Sequence, residues 1–167
     1  MSKQLDGVNF ENDIHNLLQG TQLDIKREKD VKNIFGSNNT CIDHFFENIN
    51  ILYCIQTKHV TSHSATISQI HHFIKCIENI QKKTNKHCIA IYLSLLPISK
   101  PSQKAFEEEN INNKKIQYIN IFHKDTFILQ QKLKYFLHYH KIFFYDNEYC
   151  VEMLDLSNKF ITNEMLL

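Results

Sequence analysis

Residues 42–59, IDHFFENINILYCIQTKH, read as two short apolar strands joined by the polar turn ENIN. The first strand holds an acid, Asp43, beside Ile42, Phe45 and Phe46. The second closes on Gln56 and Lys58 after an unbroken run of Ile51, Leu52, Tyr53, Cys54 and Ile55. Taking a charge out of water costs several kcal/mol unless a partner meets it. An acid, an amide and an ammonium at one end of so apolar a hairpin therefore ask for a reason. Strand side chains alternate between faces, which puts Gln56 and Lys58 on one face and Ile55 and Thr57 on the other. Asp43 lies on the paired strand, so the hairpin is expected to bring it beside both Gln56 and Lys58.

Upstream, FENDIHNLLQG (10–20) spaces Phe10, Ile14, Leu17 and Leu18 as a helix does, with Asp6 or Asn9 as cap and Gly20 as stop. TQLDIKREKD (21–30) reads as a short polar-edged strand, and KDVKNIFGSNN (29–39) as a turn of helix and a loop. Downstream, SATISQIHHFIKCIENIQKKT (64–84) is a long helix capped by Ser62 or Ser64, with Ile67, Ile70, Ile74, Ile77 and Ile80 as its inward stripe. HCIAIYLSLL (87–96) is β-branched and apolar, as a buried central strand is. PSQKAFEEEN (101–110) reads as a short helix and KIQYINIF (115–122) as a further strand. DTFILQQKLKYFLHYH (125–140) reads as an amphipathic helix with Phe127, Ile128, Leu133, Phe136 and Leu137 inward.

This order specifies an α/β domain, a mixed central sheet flanked by helices. The strand–helix–strand unit of 51–58, 64–83 and 87–93 should be a right-handed crossover. The single domain is expected over residues 1–140, with 141–167 as an extension packed on it that carries no readable element.

A chain of 167 residues with 43% hydrophobic content can bury one core of its own. No apolar run approaches the roughly 20 residues that span a bilayer. MSKQLDGVNFEND is too polar for a secretory leader. The expectation is an intracellular protein with no membrane segment. The five cysteines include no CxxC pair and their number is odd, so they read as small core hydrophobes rather than as a disulfide framework or zinc ribbon. The ten histidines include an H-x3-H pair, His59 and His63, and the adjacent His71 and His72. None sits in an HExxH or paired-cysteine context, which sets zinc aside. Three glycines leave no Gly-rich phosphate loop, and hence no nucleotide cofactor is expected. A net charge of +1 and one arginine, Arg27, exclude the strongly basic surface of a nonspecific nucleic-acid binder.

The chemistry of the hairpin end is that of a hard cation. Magnesium takes oxygen ligands and keeps several waters. A carboxylate from Asp43, an amide oxygen from Gln56 and a backbone carbonyl such as that of Thr57 are such ligands, and Lys58 can stabilise charge on a phosphate under attack. The pattern of Asp43, twelve residues, Gln56, one residue, Lys58 resembles the PD-(D/E)xK nuclease motif, in the QxK form of Mrr-like restriction endonucleases. The likeness covers residues 7–122: a preceding acid-bearing helix, the hairpin, then helix, buried strand, small helix and strand. The chain departs from that pattern at Cys41, where many such enzymes carry glycine, and it lacks the motif's proline.

The resemblance implies a restriction-endonuclease-like core and a metal-dependent endonuclease that hydrolyses DNA phosphodiesters with a water nucleophile. It makes Asp43 the principal metal ligand, Gln56 the group in the place of the second acid, Lys58 the catalytic lysine and Glu11 the helix acid of the site. Replacing an acid by neutral Gln56 removes one negative charge, which Glu11 would restore. Mg2+, with Mn2+ as substitute, DNA and a homodimer are the implied cofactor and partners. The alternative is a catalytically inactive nuclease-fold domain that serves as a nucleic-acid-binding or protein-interaction subunit.

Overall fold

The computed structural model describes residues 3–145. Its elements run α1 (Lys3–Gln19), β1 (Lys26–Arg27), α2 (Glu28–Phe35), β2 (His44–Asn48), β3 (Ile51–Lys58), α3 (Ile67–Thr84), β4 (His87–Ser94), α4 (Lys100–Asn112), β5 (Ile116–Phe122) and α5 (Thr126–Tyr139). One five-stranded sheet has the order β1-β2-β3-β4-β5. β1, β2 and β3 pair antiparallel, whereas β3, β4 and β5 pair parallel. The molecule is thus an α/β domain with a mixed sheet between helical layers, consistent with the core that the resemblance implies.

Alternation along β3 divides its residues between two cores. Leu52 and Cys54 pack with Val31 and Phe35 of α2, Phe73 and Ile77 of α3 and Phe106 of α4. Tyr53 and Ile55 pack instead with Ile14 and Leu18 of α1 and Leu129 and Leu133 of α5. Each fully buried side chain of this size contributes roughly 1.5–3 kcal/mol. Both faces are covered, so the central strands β3 and β4 are apolar nearly throughout. Apart from the exposed His87 that opens β4, only their C-terminal ends break the run, and those ends carry the candidate site.

The hairpin turn is tighter than ENIN. Glu47 and Asn48 remain paired with Leu52 and Ile51, and only Ile49 and Asn50 turn, both at positive φ (47° and 62°). That is the signature of a two-residue type I′ connection, whose twist matches the strands. The segment 21–30 forms only the two-residue β1 before Glu28 starts α2. The long helix starts later than its first serines suggest: Thr66 caps α3, reciprocally with Gln69, and Asn85 closes it in the left-handed conformation. Ile67 lies on this first turn and is 38% exposed, so the buried stripe begins at Ile70. In α5, Phe127 is 60% exposed and the inward stripe runs Leu129, Leu133, Leu137. Asp125 caps this helix, and Leu133 and Leu137 are inward as expected, with Leu129 in place of Phe127 on the first turns. Ile142 closes against the α5 side and Tyr145 donates its backbone N–H to the Gly20 carbonyl, while residues 146–167 lie outside the described residues.

Candidate active site

The site forms where β2 runs out beside β3. The last backbone bond between these strands is from Asp43 N to Ile55 O, 2.9 Å. Two residues further along β3, Thr57 offers its N–H to a side chain instead: Asp43 Oδ2 accepts it at 2.6 Å. The carboxylate therefore adds a rung to a ladder whose strand has ended. The same oxygen accepts from Thr57 Oγ1 at 2.7 Å and from Gln56 Nε2 at 2.7 Å. Three donors on one oxygen answer the desolvation problem, since charge-assisted bonds are about twice as strong as neutral ones. Asp43 is only 8% exposed. Burial pushes its carboxyl above the ordinary range, the Thr57 bonds pull it back, and Glu28 and Lys58 act in opposite directions.

Gln56 is held twice. Its Nε2 donates to Asp43 Oδ2 and, at 3.2 Å, to the backbone oxygen of Thr57. One positively polarised amide group thus bridges two oxygens, as a small cation does. Those are two of the oxygens assigned to the metal from sequence, and turning the amide over would present its Oε1 as a third. The donor set is all oxygen, which suits Mg2+ or Mn2+.

Thr57 departs from the expected alternation. Its side chain should face away from Gln56, yet its hydroxyl reaches Asp43. The reason is that Asp43 sits in the plane of the sheet beyond the end of β2, where side chains from either face of β3 can reach it. Lys58 lies on the Gln56 side and lines a small cavity with Ala65, Gln69 and Tyr92. The four ion pairs among the described residues are Lys26–Asp24, Lys32–Glu28, Lys86–Glu47 and Lys104–Glu108, so none engages Lys58.

Glu11 lies on α1, on the other side of the sheet, near enough for the charge of Asp43 to act on it. Burial raises its carboxyl above the usual range, and the charge of Asp43 raises it further, against Arg27. Two neighbours escaped the sequence reading. Glu28, the first residue of α2, places a further negative charge near both Asp43 and Glu11. Arg27 donates from its guanidinium to Asn12 Oδ1 at 2.6 Å and is the cation of this cluster. A lone arginine beside an acid was the available signal, but Arg27 and Glu28 enter the site only because β1 pairs with His44 and Phe45. His44 is fully buried and stacks on His15 with centroids 5.6 Å apart. Burial, then the charges of His15 and Arg27, drive its pKa down to about 3.

Compared with known proteins, the chain matches no family model, no curated protein and no solved structure. Among the described residues no helix is long and apolar enough to cross a membrane.

Proposed function

We propose that this chain is a metal-dependent endonuclease that hydrolyses DNA phosphodiesters. The observation that carries the reading is the bridge of Gln56 Nε2 between Asp43 Oδ2 and Thr57 O at the sheet end, on the same side as Lys58. Asp43, the Thr57 carbonyl and Gln56 would hold Mg2+, and Glu11 supplies the second negative charge at the edge. When bound, the ion supplies charge neutralisation and a lowered pKa for water. Lys58 is the cation left to meet the phosphoryl oxygens as negative charge builds there. A water oxygen bonds to phosphorus, the bond from phosphorus to the leaving oxygen breaks, and that oxygen takes a proton. With a net charge of +1, binding to DNA should be strongest at low ionic strength. A homodimer would set two such sites against the two strands of a duplex.

The test is cleavage of plasmid DNA in magnesium, with manganese and chelator arms. Activity is expected in either metal, absent in chelator, and lost in Asp43→Ala and Lys58→Ala. Variants that cut as well as the parent would overturn the assignment.

A second reading, a nuclease-fold domain that binds nucleic acid or a protein without cutting, is favoured by the closed state of Asp43 Oδ2. That oxygen already accepts three hydrogen bonds, as a purely structural latch would. Magnesium titration separates the two. A live site binds the ion through Asp43, and a latch is indifferent to it.

A further inference from the structure

Two residues before Asp43, the chain builds a second cluster of a different chemical kind. Cys41 sits at the entrance to the hairpin, and His72 and Cys76 lie one turn apart on α3, which places both on one helix face. One ligand atom from each of Cys41, His72 and Cys76 lies within 4.8 Å of the other two. Tetrahedral zinc, with bonds of about 2.3 Å to sulfur and 2.0 Å to nitrogen, separates its ligands by about 3.6–3.8 Å. Small side-chain rotations close that gap.

The surroundings fix these groups. Cys41 Sγ donates toward the backbone oxygen of His72 at 3.8 Å, and Cys76 Sγ toward that of Asn38 at 3.6 Å. The Thr40 hydroxyl lies 3.1 Å from His72 Nε2 and orients the ring. Both sulfurs are buried, whereas His72 is exposed and borders a cavity of about 580 Å3 with Asn39, Cys76 and Glu78. Solvent therefore reaches the side of the cluster on which a fourth ligand is needed.

We propose that Cys41, His72 and Cys76 bind one zinc ion, with solvent from the adjoining cavity as the fourth ligand. Two thiolates and an imidazole are a soft set that selects zinc over magnesium. The ion would clip the 36–41 loop to α3 and so brace the segment that leads into Asp43. Binding releases protons from the thiols to solvent. This assignment does not depend on the nuclease reading, and DNA cleavage is not its readout.

The experiment is titration of the reduced full-length chain with Zn2+ against a chromophoric chelator, and with Co2+ by absorption spectroscopy. One equivalent of Zn2+ is expected to bind, and Co2+ should give a thiolate charge-transfer band with tetrahedral d–d bands. Cys41→Ser and Cys76→Ser should each weaken binding by about 100-fold or more and remove the charge-transfer contribution of one thiolate. His72→Asn changes an exposed residue, so it keeps the fold readable by circular dichroism while losing the same affinity. His71→Asn, next along the same helix, should bind as the parent does. No uptake by the reduced chain overturns the proposal, as does undiminished binding in folded His72→Asn. A Cys41–Cys76 disulfide whose reduction restores no zinc binding overturns it as well.

Discussion

Cys41 and Asp43 stand two residues apart on the segment leading into β2, and each meets partners across the sheet or from α3. Asp43 gathers an all-oxygen and amide set with Gln56 and Thr57. Cys41 gathers a sulfur and imidazole set with His72 and Cys76. The difference teaches that sequence proximity and shared backbone do not make one site. The two sets differ in softness, oxygen and amide in one, sulfur and imidazole in the other. Their construction differs too. The oxygen set comes from a single hairpin, the sulfur set from a loop and a helix that meet only after folding.

The sharpest way to break this comparison is Asp43→Asn. It keeps the volume and leaves the sulfur set untouched, so magnesium-dependent cleavage is expected to fall by at least about 100-fold while zinc uptake stays at the parent level. Equal loss of both would show that the two clusters act as one site.

Acid comes next. The folded pKa of His44, about 3, lies below its ordinary 6.5. The unfolded chain therefore binds the proton more readily, and stability is full above pH 6.5 and declines as pH falls from there toward 3. His44→Phe should flatten that decline by up to a few kcal/mol, read from urea unfolding at pH 7 and pH 4. A parent whose stability does not change across that window would contradict the burial argument.

Thr57→Val tests the latch with a smaller effect. Removing one buried hydroxyl donor to a carboxylate should cost about 1–3 kcal/mol in urea unfolding. Asp43→Asn and Thr57→Val should be non-additive, because they share that bond. Smallest is Ile49→Asn at the turn. A β-branched residue at φ 47° is strained, and asparagine relieves it, so stability should rise by about 1 kcal/mol with cleavage and zinc uptake unchanged.

Much of the layer order was legible because periodicity follows burial. The apolar runs of 51–55 and 88–93 can only be central strands, and the isoleucine stripe from Ile70 to Ile80 can only be a helix face. Of the hairpin partners of Asp43, Gln56 was legible from the pairing, whereas Thr57 was not, because alternation assigns its side chain to the opposite face. Phe127 and Ile67 misled because both sit on the first turn of their helix, where no neighbouring layer covers them. Arg27 and Glu28 were not legible as site members, because a two-residue strand gives no periodic signal. Nor was the sulfur cluster. Cys41 is remote in sequence from His72 and Cys76, and a cysteine and a histidine four apart on a helix look like core and surface until a third ligand is placed beside them.

The two-residue turn at Ile49 and Asn50 acts as a ruler for the chemistry at the far end of the hairpin. Because side chains alternate with a period of two, a one-residue slip of β2 against β3 would take Asp43 away from Gln56 and Thr57. The register set at one tip of the hairpin thus fixes which side chains meet Asp43 at the other.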